Sequence, residues 1–312
     1  MKVSMVKLLL TLVLFLAPLL LYAQKDNVNT SFLSQMLKSV ELRESFGSAT
    51  PRTAPVKFQF TLPKDADDSF LIDGALGIPF FDVGITQGLM LRGKIIGEYH
   101  RNTLVEEEQY TWQTGFSTEL RTKIKMNDRN TAYSQLIFTP TFKYTRNVMD
   151  TVNSLVFTMD VIPFRSGLKG INLNTYTLSG NRKLINLLSI IPAVELQHQF
   201  SAAQSLDNGT ILRPLLKFQY SVGGNKTRIP ATRMVEPIKT WQAAVDYTLR
   251  YAVVNSTSIG EDFTHLLTTG VDYYFSTSPV SIAFGVSFNY GSDPLQGLRK
   301  QQYWLATISI QK

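Results

Sequence analysis

From Val56 to the C-terminus, apolar and polar residues alternate with a period of two in one segment after another. Successive side chains of a β-strand point to opposite faces, so this period predicts strands with one apolar and one polar face. "VKFQFTL" (56–62) opens the series, and "LMLRGKIIGEYH" (89–100) follows after a stretch, "PKDADDSFLIDGALGIPFFD" (63–82), that reads as a loop. "WQTGFSTELRTKIKM" (112–126) holds the alternation for fifteen residues, with Trp112, Phe116, Leu120 and Ile124 on one face and Glu119, Arg121, Lys123 and Lys125 on the other. The stretches 134–146, 154–164, 184–200, 212–222, 241–253, 265–275, 279–291 and 303–311 repeat the pattern, while 167–178 is a poor strand. Ten to twelve strands result, and twelve is preferred because 56–62 is a good strand. With both termini on the periplasmic side, twelve strands place "NDRN" (127–130) outside and 223–238 inside. Ten strands, dropping the first segment and 168–178, place "NDRN" inside.

Length separates the architectures this pattern fits. A soluble β-sandwich alternates over about five or six residues. Several segments here alternate for eleven or more, which suits a tilted membrane crossing of ~9–11 residues with an extension. In 241–253, Trp241 and Tyr251 lie ten residues apart on the apolar face. At ~3.3 Å per residue and ~45° of tilt they are roughly 23 Å apart in depth, close to the apolar band between two aromatic girdles. Trp112, Tyr290, Tyr303 and Trp304 complete the girdle set.

The N-terminus is different. "MKVSMVKLLLTLVLFLAPLLLYAQ" has Lys2 and Lys7 before an apolar run and reads as a secretory signal peptide over residues 1–23. Residues 24–55 form a periplasmic segment in which Phe32, Leu33, Met36, Leu37 and Val40 recur at helical spacing. This predicts an amphipathic helix over 31–46, either a lid on the barrel mouth or a lumen plug.

Composition narrows the classes. Of 312 residues, 44% are hydrophobic and 18% charged, and mean hydropathy is −0.01, which excludes disorder and a polytopic helical membrane protein. Cysteine is absent, so neither a lipid-anchored cysteine nor a disulfide is expected. The net charge of +7 comes from basic residues scattered singly along strands, which argues for anionic lipid or solute rather than nucleic acid.

Chemistry is sparse. His100, His198 and His265 sit on separate segments without metal-ligand spacing, and no nucleophile–base motif accompanies them, so neither a metal, a cofactor nor a catalytic residue is expected. The acidic loop holding Asp65, Asp67, Asp68 and Asp73 misses the calcium-loop register, and Glu106–Glu108 read as a hairpin tip. The polar face carries Arg92, Lys94, Glu98, Glu119, Arg121, Lys123, Lys217, Asp246, Arg250 and Asp272 as candidates to face the lumen. These charges either pair and fill a narrow interior or line a mildly anion-preferring channel.

The signal ending in "YAQ", the girdled strands and the terminal strand "QYWLATISIQK" resemble the outer-membrane β-barrels of Gram-negative bacteria, in pattern rather than in a family motif. The resemblance implies an all-β, closed antiparallel transmembrane barrel over 56–312, set in the outer membrane and in contact with its lipids, lipopolysaccharide and other envelope proteins. It departs at the end, Gln311-Lys312, where such barrels have an aromatic residue. The expected functions are a narrow small-solute channel or a structural subunit of an envelope complex. A lipid-modifying enzyme and a soluble periplasmic lipid-binding protein are the alternatives.

Overall fold

The computed structural model describes residues 40–46, 55–61, 69–86, 88–103, 108–122, 124–126, 132–167, 172–179, 183–200, 208–226, 238–258, 262–277, 281–296 and 298–311. All regular structure among them is strand: β1 (Glu41–Arg43), β2 (Val56–Thr61), β3 (Ser69–Thr86), β4 (Leu89–Asn102), β5 (Gln109–Arg121), β6 (Lys125–Met126), β7 (Ala132–Asn147), β8 (Val152–Gly167), β9 (Thr175–Leu178), β10 (Leu184–Phe200), β11 (Gly209–Asn225), β12 (Lys239–Tyr251), β13 (Val254–Asn255), β14 (Phe263–Thr277), β15 (Ser281–Asp293) and β16 (Leu298–Gln311).

Twelve of these strands close an antiparallel barrel. Each pairs with the next along the chain, and β16 returns to β2 through Ile308–Phe58, Ser309–Lys57 and Ile310–Val56. Closure gives each of the twelve strands a hydrogen-bonded neighbour on both sides, which satisfies backbone groups between strands. The four short strands decorate it: β1 pairs with β3, β6 with β7, β9 with β10 and β13 with β11.

The alternation survives as alternating burial. Along β10, Ile185, Leu187, Ser189, Ile191, Ala193, Glu195 and Gln197 are buried inside, while Ile190, Val194 and Leu196 are exposed outside. The outward face is apolar and open: Trp304 is 70% exposed, Tyr273 61% and Phe275 59%. The inside combines three small apolar clusters, Phe46–Ala75–Ile96, Ile137–Ile162–Ile191 and Tyr176–Ile185–Leu187, with a larger set of polar groups.

Three expectations change. The stretch 63–82 is not simply a loop, because β3 runs through it as an eighteen-residue strand. Its period is broken by register shifts at Pro79/Phe81 and Gly84/Thr86, where an extra residue reverses the in/out pattern. The 168–178 stretch is not a crossing: among its described residues Leu173 bridges Arg165 of β8 and Thr175–Leu178 pair against the start of β10. With β3 counted, Arg121 and Ala132 lie at the end of the barrel that holds Val56 and Gln311, so "NDRN" connects strands there and not at the opposite end.

The signal peptide and residues 31–39 of the expected helix lie outside the described residues. The part of that helix described, 40–46, is extended, with β1 at its centre.

Candidate functional site

Strands β1 and β2 follow one line along the edge of β3, with Arg43 opposite Ala75 and Lys57 opposite Asp73. After β1 the described chain, Glu44–Phe46, leaves the wall and turns inward. Phe46 packs on Ala75 and Ile96, and its ring lies against Gly77, where a Cβ would come within 2.3 Å of it. Residues 40–46 thus form a strap that starts as β1 on the edge of β3 and ends at Phe46 inside the barrel.

Polar bonds hold the strap. The Phe46 amide donates to Glu98 Oε1 at 2.9 Å, and the Ser45 hydroxyl donates to Glu98 Oε2 at 2.7 Å. Glu44 pairs with Lys57 at 2.9 Å and Glu41 with Lys94 at 2.8 Å, while Arg43 bonds Glu41 and lies 4.1 Å above the Phe46 ring. Burial pushes the Glu44 carboxyl up to about 7, and neighbouring Asp73 adds to this against the pull of Lys57. Burial also opposes ionisation of Glu41, but Arg43 and Lys94 together outweigh it and hold that carboxyl below its usual range.

Further charges pair across the interior. Glu98 accepts from Lys143 at 2.6 Å, and His100 bridges Glu98 and Asp73. Lys217 meets Asp160 at 2.8 Å, and Arg213 meets Glu195 at 2.6 Å. Arg250 lies 3.0 Å from Asp293 and 3.5 Å from Glu195. A geometric rule recurs here. Glu98–Lys143, Asp160–Lys217, Glu195–Arg250 and Arg250–Asp293 each join strands separated by one intervening strand. Beneath the first, Gln113 of β5 accepts from Lys143 at 3.0 Å; on the strand between the second pair, Asp160 is opposite the small residue Ala193. Buried pairs of this kind tolerate removal from water only when both members find partners.

The sequence candidates fall as follows. Lys217, Asp246 and Arg250 point inward; Gln219 donates to Asp246 at 2.7 Å. Asp272 and Asp246 line a cavity of about 40 Å³ with Glu44 and Lys57. Glu98 is the hub just described, and Lys94 binds the strap. Arg92–Asp82 and Glu119–Arg121 pair toward the end that holds the termini, half exposed or partly buried. Lys123 lies outside the described residues. Trp112, Trp241, Tyr251 and Trp304 are exposed on the outside, and Tyr290 packs there in a tilted contact with His265. Tyr303 is a correction: it is opposite inward Asn289, whereas Trp304 stacks on outward Phe288 at 5.0 Å, and consecutive strand residues cannot share a face.

Sequence reasoning missed Asp73, Lys143, Asp160, Glu195, Arg213 and Asp293 as lumen partners. For Lys143, Asp160, Glu195 and Arg213 the inward position was available from the alternation, but the choice of partner was not, whereas Asp73 lay in the stretch read as a loop and Asp293 beyond the alternating stretch. On the outside, His198 Nδ1 lies 2.9 Å from the Thr210 hydroxyl, and among the described residues no third group bonds that ring. No group of metal-ligating residues is present among them. Comparison with protein-family models, curated proteins and solved structures finds no match for this chain.

Proposed function

We propose that this barrel is an integral outer-membrane protein whose lumen is closed by paired charges and by the strap 40–46, so that it acts through its wall as a structural or accessory component of the envelope. The membrane half of the reading is supported by the outward band of exposed Leu, Val, Phe, Tyr and Trp side chains, which water would disfavour on a soluble protein. The closed half is carried by one observation, the bonding of the Phe46 amide and Ser45 hydroxyl to buried Glu98. Gln113, Lys143, Lys217, Arg213 and Arg250 fill the space beyond it.

A second reading, a gated narrow channel, is favoured by the cavity whose wall includes Glu44 of the strap. Buried donors such as Arg213 Nε and Arg250 Nη1 have no partner among the described residues, and groups of this kind are normally satisfied by internal water. The interior is therefore polar enough to hydrate once the strap leaves.

Planar-bilayer recording tests both. The full chain, folded and heat-modifiable on gels, is expected to be silent, and a variant lacking 40–46 is expected to conduct. Steady conductance in the full chain would overturn the closed reading; silence in both would remove the channel. Extraction by carbonate without detergent would overturn the membrane reading.

A further inference from the structure

We propose that the outward face of β4, β5 and β7, at the end remote from the termini, binds the phosphate of a lipid headgroup between Arg101 and Arg146. The inference rests on the membrane reading above and assigns it a specific lipid contact.

The register places the two arginines on either side of β5. Arg101 is opposite Tyr110, and Arg146 is opposite Trp112, so two interstrand spacings, about 10 Å, separate their strands. The Arg101 guanidinium lies 4.5 Å from the Tyr110 ring centroid and 5.5 Å from that of Phe70. Arg146 Nη1 donates to Asn153 Oδ1 at 2.8 Å, and the Tyr144 hydroxyl donates to the same oxygen at 2.9 Å. The Trp112 and Tyr144 rings pack in a tilted contact with centroids 5.4 Å apart. The side chains are therefore held by rings and one amide.

What they lack is an anion. Lys143, Lys217, Arg213 and Arg250, all inward, each meet a carboxylate, whereas neither Arg101 nor Arg146 forms an ion pair among the described residues. No Asp or Glu occupies an outward strand position at this end among those residues. The acids nearby, Glu108, Asp150 and Asp262, sit in connections. A guanidinium offers paired donors matched to phosphate oxygens, and rings of this kind settle at headgroup depth. Below the arginines the wall continues through exposed Phe116 and Phe142, which suit acyl chains. A soluble anion would leave that apolar wall unused.

The test uses the full chain with Trp241→Phe and Trp304→Phe, which leaves Trp112 as the one tryptophan of three. The protein is placed in phosphatidylcholine vesicles containing equal fractions of brominated phosphatidate or brominated phosphatidylcholine, and quenching of Trp112 is read. The expected result is about tenfold preferential quenching by phosphatidate, since each arginine near the headgroups contributes of order one factor of a few. R101Q/R146Q is expected to bring the two lipids to parity, and R101K/R146K to keep the preference. Equal quenching in the parent, or a preference untouched in the glutamine variant, would overturn the site. Displacement by excess inorganic phosphate would overturn it in favour of a soluble anion. Failure to insert into phosphatidylcholine at all would overturn the membrane reading and the site with it; insertion without lipid preference overturns the site alone.

Discussion

Phe46 and Glu98 lie 52 residues apart in sequence, yet the Phe46 amide donates to the Glu98 carboxylate inside the barrel at 2.9 Å. The same carboxylate accepts from Lys143 of β7. One acid thus ties the strap to the wall and the wall to itself, so its removal frees two structures at once.

Replacing Glu98 by Ala is expected to destabilise the folded barrel by about 3–5 kcal/mol, because Lys143 is left buried without its counter-charge. Urea unfolding in detergent, followed by gel migration, measures this. The double variant Glu98→Met/Lys143→Met is expected to recover most of the loss. A double variant as unstable as the single would show that the pair is not the source.

Strap docking is expected to weaken as pH rises. The Glu44 carboxyl sits at about 7 when docked against an ordinary value of 4.5, so the docked state holds the proton more tightly. A raised carboxyl stabilises docking fully below 4.5 and loses that contribution as pH climbs through about 7. Amide hydrogen exchange over 40–46, corrected for its intrinsic pH dependence, should therefore accelerate between pH 5 and 8. Glu44→Gln should flatten the profile.

Gly77→Val tests the steric half of docking. A Cβ at Gly77 meets the Phe46 ring at 2.3 Å, and the added bulk costs about 1–3 kcal/mol of strap binding. Exchange protection over 40–46 should fall while heat-modifiable migration of the barrel persists. Loss of both would place Gly77 in barrel folding instead.

Gly291 has φ of +116°, and a Cβ there would approach the His265 carbonyl oxygen to 1.9 Å. Gly291→Ala is expected to destabilise the folded barrel by about 3 kcal/mol or more, combining backbone strain with a clash against the neighbouring strand. Refolding yield into detergent checks it.

The barrel was legible because a period of two is a local property. In β11, Leu212, Leu216 and Phe218 against Arg213, Lys217 and Gln219 declare inside and outside with no knowledge of the neighbours. Strand β3 was not legible for the same reason. Its bulges at Phe81 and near Gly84 shift the period midway, and Gly74, Gly77, Pro79 and Gly84 imitate a loop. The alternation gives twelve strands by counting 56–62 and 167–178 but not β3, which moves "NDRN" to the opposite end while leaving the total unchanged. The interior network was half legible. Facing direction follows from alternation, but Lys217 finds Asp160 two strands away, and register between strands is not written in either segment. The strap was hidden too. Helical spacing of Leu37 and Val40 continues into residues that the free edge of β3 recruits as strand.

Among the described residues the meeting of β16 with β2 is supported by three paired positions, against sixteen between β10 and β11. It also joins chain segments roughly 250 residues apart, the costliest loop closure in the molecule. Hairpins along the chain gain their rungs cheaply, so this seam is the last to zip and the first to part. Strand β1, continuing the line of β2, adds three rungs on β3 and lies beside β16 along the same seam. The strap therefore doubles as a latch, and its release would loosen the cylinder sideways as well as along its axis.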